Sequence, residues 1–262
     1  MYLCLDLGNS HLCGGVFSDD ELLIQFRYDS KRIGTSDELG IFLRSVLKEN
    51  HIDYTKISSI GIASVVPSAD YTVRSACIKY INIEPIFLKP GSKTGLKINT
   101  HNPSELGSDL IAGAMAAKFQ YPNQDILIFD MGTATTCCYL NASSELVGVS
   151  IAPGIRLMME ALQNNTARLF GVDITKPEYA MGKNTKMSIQ SGIYYAQIGL
   201  IEQLITQTVK EFNLETKPLI IGTGGFSQMF ASQKIFDHLV PELVLEGIKM
   251  MLDLNLSIAI NE

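Results

Sequence analysis

The sequence has only four histidines, His11, His51, His101 and His238, scattered without ligand spacing and with no serine or cysteine nucleophile context around them. A metal hydrolase and a triad hydrolase therefore find little support. The five cysteines, Cys4, Cys13, Cys77, Cys137 and Cys138, show no zinc-ligand spacing, and four of them fall in stretches expected to be buried strands. Reduced core thiols are the expected reading. No run approaches the ~18 apolar residues of a spanning helix, and the N-terminus lacks a basic leader region, so a soluble cytoplasmic protein without a membrane partner is expected. Positive charge is in deficit: 21 Lys and Arg against 27 Asp and Glu give a formal charge of -6 and a pI near 5.3. That balance argues against nucleic acid as a partner. The Walker spacing G-x-x-x-x-G-K-[ST] is absent both at Lys89 to Gly95 and around Gly182-Lys183-Asn184, which disfavours a P-loop NTPase.

What is present is an echo. Leu3 to Ser10 and Leu127 to Thr136 each run three apolar residues into an aspartate, Asp6 or Asp130, then one apolar residue, a glycine, Gly8 or Gly132, and small polar residues. After the first aspartate come strand-like runs Leu12 to Phe17 and Leu22 to Tyr28; after the second come Thr135 to Leu140 and Leu146 to Ile151. Each pair is split by turn-forming residues. Two such units, about half the chain apart, predict a duplicated domain. At 262 residues, two domains of about 130 residues each are expected, with a boundary at 118/119: residues 1–118 and 119–262.

An aspartate just past a buried strand, followed by glycine, sets a carboxylate beside backbone N–H groups that nothing bulky shields. Those N–H groups suit phosphate oxygens, and the carboxylate suits Mg²⁺, directly or through water. One copy reads equally well as a hairpin turn. Two copies in matching strand contexts favour a polyphosphate gripped from both sides.

Between and beyond the echoes, strands alternate with helices, an α/β pattern whose hairpins make the sheets mixed. Thr35 to Glu38 reads as a capping box for a helix to about Asn50. Ile57 to Val66 reads as a strand, Ser68 to Tyr80 as a helix and Pro85 to Leu88 as a short strand. Asp109 lies near the start of a helix over Ile111 to Phe119, where its plain role is to complement the helix dipole and its sharper one is general base. Ile151 to Gly154 reads as a turn feeding a helix to Gln163, followed by a long helix from Met187 to Phe212. Leu219 to Ile221 is a strand ending in Gly222 to Gly225, a glycine cluster that lets backbone approach a ligand or simply turns. Pro241 begins a terminal helix.

Together these segments resemble the type III pantothenate kinases of the acetate kinase, Hsp70 and actin superfamily. The residues that carry the resemblance are Asp6-Leu7-Gly8-Asn9-Ser10, Pro90 to Leu96, Asn102-Pro103 with Glu105 to Asp109, Asp130 to Thr136, Pro153-Gly154, Gly182 to Thr185 followed by Ser191-Gly192, and Thr223-Gly224-Gly225. The resemblance implies two duplicated ribonuclease-H-like (actin-like ATPase) domains, each a mixed sheet flanked by helices, with an ATP cleft between them. It also implies transfer of the γ-phosphoryl group of ATP to the primary hydroxyl of pantothenate, giving 4'-phosphopantothenate, the first step of coenzyme A biosynthesis. By similarity, Asp6, Leu7, Gly8, Asn9, Ser10, His11, Leu12, Cys13 and Thr133 would bind ATP, with Asp6 assisting Mg²⁺ through water. Asp130 would help hold the monovalent cation, K⁺ or NH₄⁺. Asp109 would accept the proton, and Gly107, Ser108, Asp109, Leu110 and Thr185 would contact pantothenate. Family members are homodimers in which the residue at Thr185 reaches the neighbour's site.

Two positions depart from the family pattern. The arginine expected after Asp109 is Leu110, which cannot pair with a carboxylate, and the frequent tyrosine three residues before Pro103 is Thr100. Both fall in the acceptor pocket, with Lys93, His101 and Arg156 as candidate substitutes for the lost charge. The alternatives are a kinase of another small alcohol, or a catalytically weak homologue that senses a ligand.

Overall fold

The computed structural model describes residues 1–259, which divide into two compact units. The first comprises Met1–Leu96, His101–Gln120 and the helix from Leu243; the second comprises Lys97–Thr100 and Tyr121–Glu242. The chain passes from first unit to second at 120/121, beside the expected 118/119, but its last helix belongs with the first unit.

The first unit is built on β1 (Tyr2–Leu7), with β2 (His11–Ser18), β3 (Glu21–Asp29), β4 (Ser59–Ser64) and β5 (Ile86–Phe87) in the order β3-β2-β1-β4-β5. β1 pairs antiparallel with β2 and parallel with β4, and β4 is parallel to β5. Side chains of a strand alternate between faces. Accordingly Leu3, Leu5 and Leu7 enter a cluster with Leu39, Leu43 and Leu47 of α1 (Ser36–Glu49) and Val73, Ala76 and Cys77 of α2 (Pro67–Ile81). Cys4 enters another, with Ala112 and Met115 of α3 (Ser108–Gln120) and Leu245, Ile248 and Leu252 of α6 (Leu243–Ala259). A strand buried on both faces explains why Leu3, Cys4, Leu5 and Leu7 are all fully buried. The expected capping box is present: Glu38 N–H donates to Thr35 Oγ1 (3.2 Å) and Thr35 N–H to Glu38 Oε2 (2.9 Å).

The second unit centres on β7 (Ile126–Met131), with β8 (Ala134–Leu140), β9 (Glu145–Pro153), β10 (Leu219–Thr223), β11 (His238–Leu239) and β6 (Lys97–Ile98). Its order, β11-β10-β7-β8-β9-β6, repeats the first sheet with one strand added at the β9 edge. The directions repeat too: β7 is antiparallel to β8 and parallel to β10, and β10 is parallel to β11. Each hairpin also has a register shift, between Val16 and Phe17 in one and between Tyr139 and Leu140 in the other. Leu127, Phe129 and Met131 pack on Ile155 of α4 (Ile155–Asn164) and on Ile189, Ile193, Tyr194 and Ile201 of α5 (Thr185–Glu211). Ile151 to Pro153, expected in a turn, instead completes β9 through the pairs Thr136 with Ile151 and Ala134 with Pro153.

Candidate active site

In the first unit the candidate residues gather at the carboxyl ends of the parallel strands β1 and β4, where open α/β sheets bind ligands. Asp6 and Leu7 end β1, Gly8 to Ser10 form the turn, and His11, Leu12 and Cys13 open β2. The Gly8 N–H donates to the His11 carbonyl (3.1 Å), and Ser30 braces the turn from outside. Its Oγ–H donates to the Gly8 carbonyl (2.7 Å) and its N–H to the Ser10 carbonyl (3.0 Å). Asn9 and His11 are exposed.

The same strand ends tie this turn to the start of α3. Val65 N–H donates to the Leu7 carbonyl (3.0 Å), and Ser108 Oγ–H donates to the Ser64 carbonyl (2.9 Å). Gly107 precedes α3, and Ser108, Asp109 and Leu110 form its first residues. Burial pushes the Asp109 carboxyl above its usual value, partly offset by the Leu110 N–H, which donates to Asp109 Oδ1 (2.8 Å). A carboxylate held back from water yet not ion-paired suits a proton acceptor.

A cavity of about 610 Å³ lies beside that loop, lined in part by Ser64, Val65, Leu106, Gly107 and Ser108. Another cavity, about 790 Å³, is lined by Arg44, Tyr54, Tyr80 and their neighbours and includes none of the candidate residues. Lys93, one candidate for the missing charge, is tied at its backbone to the Asn255 side chain.

In the second unit Asp130 sits at the same place near the end of β7, paired across to Thr136 on β8 and to Thr223 on β10. Its turn is one residue shorter: Gly132 N–H donates to the Ala134 carbonyl (3.0 Å), with Thr133 at the tip. Two glycines press on it. Gly224 has φ of +84°, and a Cβ there would lie 2.2 Å from Asp130 Oδ1. A Cβ at Gly154 would lie 2.4 Å from the Thr133 carbonyl oxygen, with Gly154 N–H donating to that oxygen at 3.1 Å. Thr136 Oγ1 is buried without a hydrogen-bond partner. A buried, unpaired hydroxyl oxygen opposite a carboxylate is a fitting ligand pair for a hard monovalent cation. Thr185, exposed, opens α5 behind Asn184, whose Oδ1 accepts from Met187 N–H (2.9 Å).

Among the described residues no three His, Cys, Asp or Glu side chains converge as a metal cluster, and no helix is long and apolar enough to cross a membrane. Reading the sequence alone missed Ser30, which stands twenty residues beyond the turn it braces, and the orphaned oxygen of Thr136. The glycine cluster after β10 was visible, but its contact with Asp130 was not.

Comparison with known proteins identifies the family. The family model described as type III pantothenate kinase matches residues 2–207. A type III pantothenate kinase of Legionella pneumophila (strain Corby) is 49% identical over 255 residues, covering 97% of this chain and 99% of its own. Type III pantothenate kinase 1 of Francisella tularensis subsp. holarctica (strain OSU18) is 42% identical over 255 residues, covering 97% and 100%. Among solved structures, component A of the Acidaminococcus fermentans (R)-2-hydroxyglutaryl-CoA dehydratase superposes with a TM-score of 0.52 at 12% identity, covering 98% of both chains. That likeness speaks for the fold alone: duplicated α/β domains of the actin-like, ribonuclease-H-like type.

Proposed function

The chain belongs to the type III pantothenate kinase family, and from that premise we propose how its residues divide the work of phosphorylating pantothenate with ATP. The enzyme is an ATP-dependent kinase of coenzyme A biosynthesis. A loose phosphoryl-transfer transition state asks for charge neutralisation and in-line positioning more than for strong basicity. The turn from Asp6 to Cys13, closed by the Gly8 N–H on the His11 carbonyl and exposed at Asn9, receives the phosphate oxygens, and Thr133 serves the same purpose in its own unit. Mg²⁺ accompanying ATP, approached by Asp6 through water, and K⁺ or NH₄⁺ beside Asp130 and Thr136 would supply positive charge. Asp109 orients the acceptor hydroxyl and takes its proton late; Gly107, Ser108 and Leu110 form the loop around it.

The observation that carries this reading is Asp109, half-buried at the start of α3 and coupled through Ser64 and Val65 to the end of β1. Its test is ADP release with ATP, Mg²⁺ and K⁺, with and without pantothenate. Asp109→Asn is expected to lower turnover by about 10²- to 10⁴-fold; turnover within twofold of wild type would remove Asp109 from the role. Because the folded-state pKa is raised, the stability linked to this carboxyl is fully present below its unfolded pKa and lost as pH rises through the folded one. The asparagine variant therefore melts no lower than wild type at neutral pH. Wild-type kcat/KM rises with pH through the same raised value, as the base ionises.

We also assign the chain to the cytoplasm, in keeping with its five free cysteines, and to a homodimer in which Thr185 serves the neighbour's site. Exposed Tyr179, Met181 and Tyr195 around the start of α5 support that face as the contact. Sedimentation at micromolar concentration tests it: a monomer that retains full turnover overturns the shared site.

A further inference from the structure

The cavity of about 610 Å³ in the first unit lies at the carboxyl ends of β4 and β5 and includes the loop that delivers Asp109. Pantothenate presents two unlike ends, a primary hydroxyl that reacts and a carboxylate that does not. The reacting end belongs near Asp109. The carboxylate needs a cation, since an anion moved out of water without one is costly. Leu110, next to Asp109, offers no charge.

Two cations line the cavity, Arg74 and Lys89. Arg74 is already committed: its Nε and Nη2 donate to the two oxygens of Glu84 at 2.5 and 2.8 Å. Lys89 has no carboxylate within ion-pair distance among the described residues. Its backbone is fixed by a bond from Lys89 N–H to Ser92 Oγ (3.1 Å), and the exposed residue lines the cavity. Of the acids lining the cavity, Asp70 accepts from Ser64 Oγ (2.5 Å) and Glu105 Oε1 accepts from Asn102 Nδ2 (2.7 Å). Neither lies within ion-pair distance of the Lys89 ammonium.

We propose that Lys89 binds the carboxylate of pantothenate and sets the enzyme's preference for an acidic acceptor, an assignment that rests on pantothenate being the acceptor. A charge-assisted contact of this kind shifts affinity by about 10- to 100-fold.

The experiment compares pantothenate with pantothenol, in which a hydroxymethyl group replaces the carboxylate, on the full chain with ATP, Mg²⁺ and K⁺. Lys89→Met should raise KM for pantothenate about 10- to 100-fold, leave its kcat within twofold, and leave KM for pantothenol unchanged. Lys89→Arg should restore most of the pantothenate KM, and Arg74→Met should not alter the ratio of the two KM values. An unchanged pantothenate KM in Lys89→Met, an equal rise for both acceptors, or a selectivity loss that follows Arg74 instead would each overturn the assignment. Failure of the underlying reading shows separately, as wild-type protein that releases no ADP in response to pantothenate.

Discussion

The Asp6 turn and the Asp130 turn occupy the same station in matching sheets, yet they are held in opposite ways. The first is less confined: a Cβ on Gly8 would meet only the His11 carbonyl oxygen, at a tight 3.2 Å, and the turn depends on hydrogen bonds from Ser30, which lies at the far end of β3. The second is walled in by backbone, with Gly154 against the turn and Gly224 against Asp130 itself. On the proposed roles, a turn that receives a large triphosphate would benefit from space around it, and a site for one small ion would benefit from fixed walls. The duplication thus conserved a topology and let the two copies specialise in mechanical character.

Substitutions should reveal the difference in order of severity. Gly224→Ala combines a positive φ with a Cβ at 2.2 Å from Asp130 Oδ1, and should cost about 3 kcal/mol in urea denaturation. A variant within 0.5 kcal/mol, roughly the scatter of ordinary surface changes, would show that the second turn yields easily and would erase the contrast. Thr136→Val should act in the opposite direction. It removes a buried hydroxyl that has no partner, so stability without monovalent cation should rise by about 1 kcal/mol, while the stabilisation gained on adding K⁺ should shrink. If K⁺ stabilises wild type and variant equally, Thr136 is not a ligand.

The open turn should respond more mildly. Ser30→Ala loses the bond to the Gly8 carbonyl and should cost about 1 kcal/mol. Gly8→Ala should cost less than that, about 0.5 kcal/mol, in melting experiments without nucleotide, yet weaken ATP binding by crowding the N–H groups. Equal stability losses for Gly8→Ala and Gly224→Ala would mean that the two turns are built alike.

Much of this was legible in the chain because its signals are local. The repeated aspartate and glycine announced both turns, and Thr35 with Glu38 announced the start of α1. What stayed hidden depends on distant partners. Lys97 and Ile98 form a strand only because β9 offers an edge at Glu145 and Leu146. Ile151 to Pro153 looked like a turn because Pro153 and Gly154 break local pattern, but cross-strand bonds to β8 carry the strand to its end. The role of Ser30 and the contact between Gly224 and Asp130 are likewise products of folding at long range. No periodicity in α6 could say which sheet it would cover.

That last helix has a consequence for how the protein is made. Leu245, Ile248 and Leu252 close the face of the first sheet that carries Cys4 and Ala63, but they are synthesised only after the whole of the second unit. The second unit, apart from the short strand at Lys97–Ile98, is one unbroken stretch and has all its strands available earlier. The half that is begun first is therefore the half that is finished last, and its nascent sheet must wait, with one apolar face covered only in part by Ala112 and Met115 of α3, until α6 has been made.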